Sequence, residues 1–591
     1  MIRAMLLTPC GVAAAILLSS WSILAEQTVV ITTGQSSVTT TYAVAGPSSD
    51  EPQSIDASQG GSAQLSGPAS FSIAGTVVSA TTGTPLDRAE ITLFTSGTNG
   101  SQVADTLASE DGSFRFDHLQ AGRYRLQGYR RGYIVAGYQE HEGYATGIVV
   151  GPHLDTSRLH LTLYPTAVIG GTVTSDTGEP IAGAQVRLFR QDQRSGEERV
   201  IGTQTEITDD NGTYEFSRVR AGTFYIAVSS SPWYAFHPRP ATDESGDPLP
   251  PDQQPRSPLD VAYPTTYYPN GTDSDSATPI TVNPGDHVEA DFSLHAVPAI
   301  HIQIRLQPPS EGRGIPMPQL MQQVFNSDEY QPTNEFTVGT QGGGMVADLS
   351  GIAPGRYVLR QFGEPGEGNR SASVDLTTDQ SLDFASNATA GVEVSGKLAM
   401  ASGGKFPGRA RVSLVPAEGG QNREGERVAE DGTFALHSVP PGRYDVEVAA
   451  PDARLAVQQM MATGAEVSGN RLTIAGQPVT LAAILARGTT TINGYAKQNS
   501  KGLGGVMILL VPRSPHAGTD LYRRDQTNTD GSFTLNRVIP GDYTLVAIES
   551  GWTLEWARPE VMAPYLARGV RVTVTGQREM QLPAAVEVQP R

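Results

Sequence analysis

From Phe71 onward apolar and polar residues alternate in short runs, and Gly, Pro, Asn and Asp separate one run from the next. Ile73-Ala-Gly75-Thr-Val77 and Ala89-Glu-Ile91-Thr-Leu93 are typical. A period of two places every second side chain on one face, the signature of a strand with one face in a core. Long Ala/Glu/Lys/Leu stretches with helical spacing are absent, so the pattern predicts an all-β chain.

One block recurs in a fixed register. It runs Asp111-Gly112-Ser-Phe114 to Gly122-Arg-Tyr124, then Asn211-Gly212-Thr-Tyr214 to Gly222-Thr-Phe224. It returns as Asp431-Gly432-Thr-Phe434 to Gly442-Arg-Tyr444 and as Asp530-Gly531-Ser-Phe533 to Gly541-Asp-Tyr543. A decayed copy aligns Gly344, Ala347, Leu349, Ile352, Gly355 and Tyr357, with Gly344 in the place of the Asp. The Asx-Gly pair suits a tight hairpin turn, because Gly takes positive φ and Asx side chains bond nearby amides. The aromatic that follows points into the core, and the second Gly opens another turn before Tyr or Phe resumes the alternation.

The strings Gly-x-Val, Ala-x-Val-x-Leu, Asp-Gly-x-Phe-x-Phe and Gly-x-Tyr resemble the carboxypeptidase regulatory-like domain, a prealbumin-like β-sandwich within the carbohydrate-binding-like grouping. The resemblance covers nearly all of Phe71 to Leu582 and departs from the pattern between Val297 and Phe384, where the Asp and both turn aromatics are lost. It implies a non-catalytic accessory or binding module. The expected organisation is a signal peptide over 1–25, a flexible linker over 26–68, and β-sandwiches over 69–164, 165–297, 298–386 (degenerate), 387–486 and 487–591.

The N-terminus supplies the compartment. Arg3, the apolar stretch Val12 to Leu18 and the small residue Ala25 read as a secretory signal cut after Ala25, which predicts export to the periplasm or the cell exterior. Cys10, the only cysteine, lies before the apolar stretch, so the mature chain has no disulfide, thiol nucleophile or thiolate metal site. The net charge of −19 argues against binding a phosphate backbone.

Candidate chemistry is sparse. None of the ten histidines has a Glu three residues on, as a metallocarboxypeptidase zinc site needs. His141-Glu142 lacks the second His of a zincin helix, and no nucleophile elbow or phosphate loop is present. The expectation is a non-enzyme with no catalytic residue, metal or cofactor. Asn270-Gly-Thr-Asp273-Ser-Asp275 spaces oxygens as a calcium loop does, or forms an Asx turn. Aromatics gather after the Gly-x-Tyr or Gly-x-Phe strand in three places. They are the series Tyr129, Tyr133, Tyr138 and Tyr144, an insertion from Pro232 to Pro284, and Gly551 to Arg558. Trp233, Tyr267, Tyr268, Trp552 and Trp556 are the sugar-stacking candidates; the alternative is that these rings cap their own cores. The implied partner is a polysaccharide or cell-surface glycan. Failing that, the sandwiches are spacer or adhesion units contacting another envelope protein.

Overall fold

A computed structural model describes residues 71–591 except 97–99, 239–240, 245–248, 250–252, 254, 307–317, 326, 331–334, 342–343, 362–369, 384–388, 404–405, 418–423, 452 and 515–516. The proposed leader and linker lie outside the described residues.

Five sets of strands follow one another, over Phe71–Pro165, Ala167–Leu294, Ile300–Ala390, Val392–Arg487 and Thr490–Gln589. In each set the opening strand pairs antiparallel with the Asx-Gly strand and parallel with a strand near the end of the set. Each set encloses its own apolar core. The repeat aromatics Phe114, Tyr214, Phe434 and Phe533 are all buried in those cores. Among the described residues there is one α-helix, Pro559–Leu566.

The repeat is readable residue by residue. Asp111, Asp431 and Asp530 each accept a hydrogen bond from the amide two residues on, which closes the hairpin turn. In the second copy Asp209 does this for Asn211. A bulge falls at the penultimate residue of the motif strand, which has positive φ in every copy: His118, Arg218, Gly351, Ser438 and Arg537. Tyr124, Tyr357, Tyr444 and Tyr543 then each donate their hydroxyl to the carbonyl four residues back, pinning the second turn. Phe224 holds the same place without a hydroxyl.

The third copy keeps this register while exchanging volumes across it. Elsewhere a glycine of the opening strand faces the motif aromatic: Gly75 and Phe114, Gly171 and Tyr214, Gly396 and Phe434, Gly494 and Phe533. At Gly494 a Cβ would lie 2.5 Å from the Phe533 ring, whereas at Gly75, Gly171 and Gly396 it would first meet a carbonyl of the neighbouring parallel segment. In the third copy the pair is Ile304 and Ala347, both fully buried. The bulk has moved to the other strand, and total core volume is roughly conserved.

Candidate functional site

The first and last domains meet through their end loops. Gln526, almost fully buried, donates to the Gln139 carbonyl at 2.6 Å and to Thr146 Oγ1 at 2.7 Å. The Thr529 amide donates to the Gly147 carbonyl, and the Val149 amide to Thr529 Oγ1. His141 stacks on Trp552 with ring centroids 5.4 Å apart and planes 3° from parallel.

Arg524 is the hub of this junction. Its side chain is 8% exposed and pairs with Glu142 of the first domain at 2.7 Å. The guanidinium lies 5.3 Å from the Tyr144 ring and 4.8 Å from the Trp556 ring. It also donates to the Arg194 carbonyl of the second domain at 3.1 Å. The second domain contacts the fifth again where the Ala557 amide donates to the Gly196 carbonyl. The fourth domain reaches the fifth through the Val457 amide, which donates to Asp520 Oδ2. Burial raises the Asp520 carboxyl to about 6, and its Oδ1 has no hydrogen-bond partner.

The sugar-stacking candidates are therefore placed in different surroundings. Trp552 and Trp556 are 4% and 6% exposed and belong to a second apolar cluster with Met507, Leu509, Ile548, Met562 and Tyr565, roofed by the helix. Tyr267 is 2% exposed and sits with Phe189 and Val324 where the second domain meets the third. Tyr268 is half-buried and edges onto Phe292 in the core of its own domain. Trp552, Trp556 and Tyr267 have no free face for a sugar in this structure, whereas Tyr268 keeps part of its ring exposed. Trp233 differs: it is 79% exposed, with Tyr234 edge-on at 5.8 Å and Phe236 also exposed. The Asn270–Asp275 loop is an Asx turn, in which Asn270 accepts from the Ser293 amide and Asp273 from the Asp275 amide.

The insertion carrying these aromatics is a strap laid across the start of the third domain. Val261 and Ala262 pair antiparallel with Val297 and Pro298. Arg256 bridges to Asp379 at 2.7 Å, and Gln303 donates to the Leu249 carbonyl. At the centre Asp260 receives His237 Nδ1 at 2.7 Å on one carboxylate oxygen and His301 Nε2 at 2.6 Å on the other. The three side chains are 7%, 4% and 15% exposed, and their polar atoms lie within 4.8 Å of one another. Around them the His301 amide donates to Asp379, while burial lifts the Asp348 carboxyl against the hydrogen bond from Gln303. Two imidazoles and one carboxylate can hold a divalent transition metal.

Nothing in the local sequence marks this cluster, because its members come from an insertion and from the next domain. The burial of Trp552 and Trp556 did leave a trace. Val506-Met-Ile-Leu-Leu-Val511 is apolar without alternation and buried throughout, so its strand needed cover on both faces.

Comparison with known proteins agrees with the strand sets. Residues 72–150 and 168–250 match the carboxypeptidase regulatory-like domain, and residues 489–564 match the family described as BOS complex subunit NOMO1-like, second beta sandwich domain. No curated protein matches the chain. Among solved structures, the Streptococcal ancillary pilin is 10% identical, with 53% of this chain and 98% of that chain covered at a TM-score of 0.17. The Bacillus anthracis TIE protein is 11% identical, with 73% and 76% covered at 0.16. GBS52, the minor pilin of Streptococcus agalactiae, is 13% identical, with 41% and 100% covered at 0.19. No helix among the described residues is long and apolar enough to cross a membrane. The protein is a tandem array of β-sandwich domains, the first two carboxypeptidase regulatory-like and the last matching the NOMO1-like sandwich.

Proposed function

We propose that this chain is an exported, non-catalytic structural protein whose sandwiches are clamped into one block by their end loops. The observation that carries this reading is Arg524, which binds groups of the first, second and fifth domains at once. A spacer made of freely jointed domains has no use for a largely buried ion pair between its first and last members. End loops that would serve a ligand are instead spent on contacts between domains, which suits a protein that holds a shape for a partner to dock on.

Small-angle scattering of the mature chain tests the reading. A chain of this length folded back on itself has a radius of gyration of roughly 25–30 Å, against roughly 50 Å for five domains in a line. The larger value, unchanged in Arg524→Ala, would restore the spacer.

Glycan contact contracts to one place under this reading. Trp233 with Tyr234 and Phe236 forms an exposed aromatic edge on the strap, the form a shallow sugar platform takes. Trp233→Ala is expected to remove retention on an insoluble polysaccharide with no change in melting temperature. Equal retention of wild type and variant would remove the platform.

A further inference from the structure

We propose that His237, Asp260 and His301 form a binding site for one borderline divalent transition cation of the Zn2+ class, and that the ion ties the strap of the second domain to the third. Three observations converge on it.

The donor set is the first. Two imidazole nitrogens and a carboxylate converge within 4.8 Å, His237 and Asp260 buried and His301 partly so, and they are supplied by two different domains. Imidazole favours Zn2+ and its neighbours, whereas Ca2+ and Mg2+ call for sets made of oxygen. The second is support around the ligands. His301 sits on the opening strand of its domain, and its amide is held by Asp379, itself fixed by Arg256 of the strap. These contacts hold the stretch of strand that carries His301 against the strap.

The third is a vacated position in the repeat. At the bulge the other four copies carry His118, Arg218, Ser438 and Arg537, all with positive φ. Only the third copy has glycine there, Gly351, and a Cβ on it would lie 2.7 Å from His237 Nε2. The four sister positions show that the backbone tolerates a side chain. The glycine is therefore accounted for by the His237 ring, which occupies the space that a side chain takes elsewhere. A crevice of about 340 Å³ lies on the other side of Gly351, lined by Tyr263, Thr265 and Ser229 to Ser231.

Binding balances simply. Each imidazole exchanges its N–H···O bond to Asp260 for a nitrogen–metal bond through the same nitrogen, while its proton moves to the other ring nitrogen. Asp260 exchanges two accepted hydrogen bonds for coordination. No oxidant or further reactant is involved.

The test uses the full mature chain stripped with a chelator and dialysed. Calorimetric titration with ZnCl2 is expected to show one site, MgCl2 and CaCl2 none, and CoCl2 a visible absorption of low coordination number. Asp260→Asn and His301→Gln are expected to lose the site. Gly351→Ser, which restores the residue type of the fourth copy, is expected to weaken it at least about tenfold by displacing His237. A Co2+ spectrum identical to the aqueous ion, or Zn2+ uptake equal in wild type and Asp260→Asn, would leave the three residues as a plain hydrogen-bonded clasp and overturn the proposal.

Discussion

Replacing Arg524 by Ala removes a side chain that reaches three domains. Its partner Glu142 keeps a side-chain exposure of 21%, so the pair lies between an exposed pair and a fully buried one. Exposed pairs contribute about 0–1 kcal/mol, whereas deleting one partner of a buried pair costs about 3–5 kcal/mol. The rings of Tyr144 and Trp556 add about 0.5–2 kcal/mol, and the bond to the Arg194 carbonyl about 1.5–3 kcal/mol. These contributions overlap at one guanidinium, so they do not sum; about 3 kcal/mol of docking stability is the expected loss. Tryptophan fluorescence in urea reads it, because Trp552 and Trp556 are buried at the junction while Trp233 is exposed throughout. The variant should undock at lower urea, in a transition ahead of domain unfolding. A double-mutant cycle with Glu142→Ala should return about 1–3 kcal/mol of coupling. A cycle energy below about 0.3 kcal/mol, as for an ordinary exposed pair, would refute the hub and with it the closed arrangement.

Truncating Phe114, Tyr214, Phe434 or Phe533 to Ala should cost its own domain about 3–5 kcal/mol in chemical denaturation, and a loss below about 1 kcal/mol would mean the core register is wrong. Ala347→Phe and Ile304→Gly should each destabilise the third domain, by overpacking and by a cavity, whereas the double variant recovers part of the loss in hydrogen exchange; strictly additive losses would deny the volume exchange. Asp520 has a folded-state pKa raised to about 6 by burial, so its contribution is fully present below about pH 4 and is lost as pH rises through about 6. Asp520→Asn should therefore stabilise the junction of the fourth and fifth domains above pH 7, on the order of 2–3 kcal/mol, and have little effect at pH 4. Equal effects at both pH values in thermal melts would show that Asp520 is not ionised at a cost.

Much of the fold is legible in the sequence because it is local. The Asx-Gly turn, the aromatic after it and the Gly-x-Tyr corner act within about fifteen residues, and hairpin geometry at that range is set by backbone sterics and turn chemistry. Even the decayed third copy could be aligned on Gly344, Ala347, Leu349 and Tyr357, since period two survives the loss of individual side chains. The fate of the aromatics was not legible. An aromatic on an end loop reads the same whether it meets a sugar, its own core or another domain, and the difference rests on contacts such as His141 with Trp552, 411 residues apart. The same holds for His237, Asp260 and His301, whose spacing matches no local motif. Two members come from the insertion and one from the strand that opens the next domain, so contacts such as the antiparallel pairing of Val261 and Ala262 with Val297 and Pro298 are what bring them together. Local sequence sets which residues turn and which face inward; which surface each domain buries against another is a property of the assembled chain, where charge pairing, ring stacking and space left by a missing Cβ are decided.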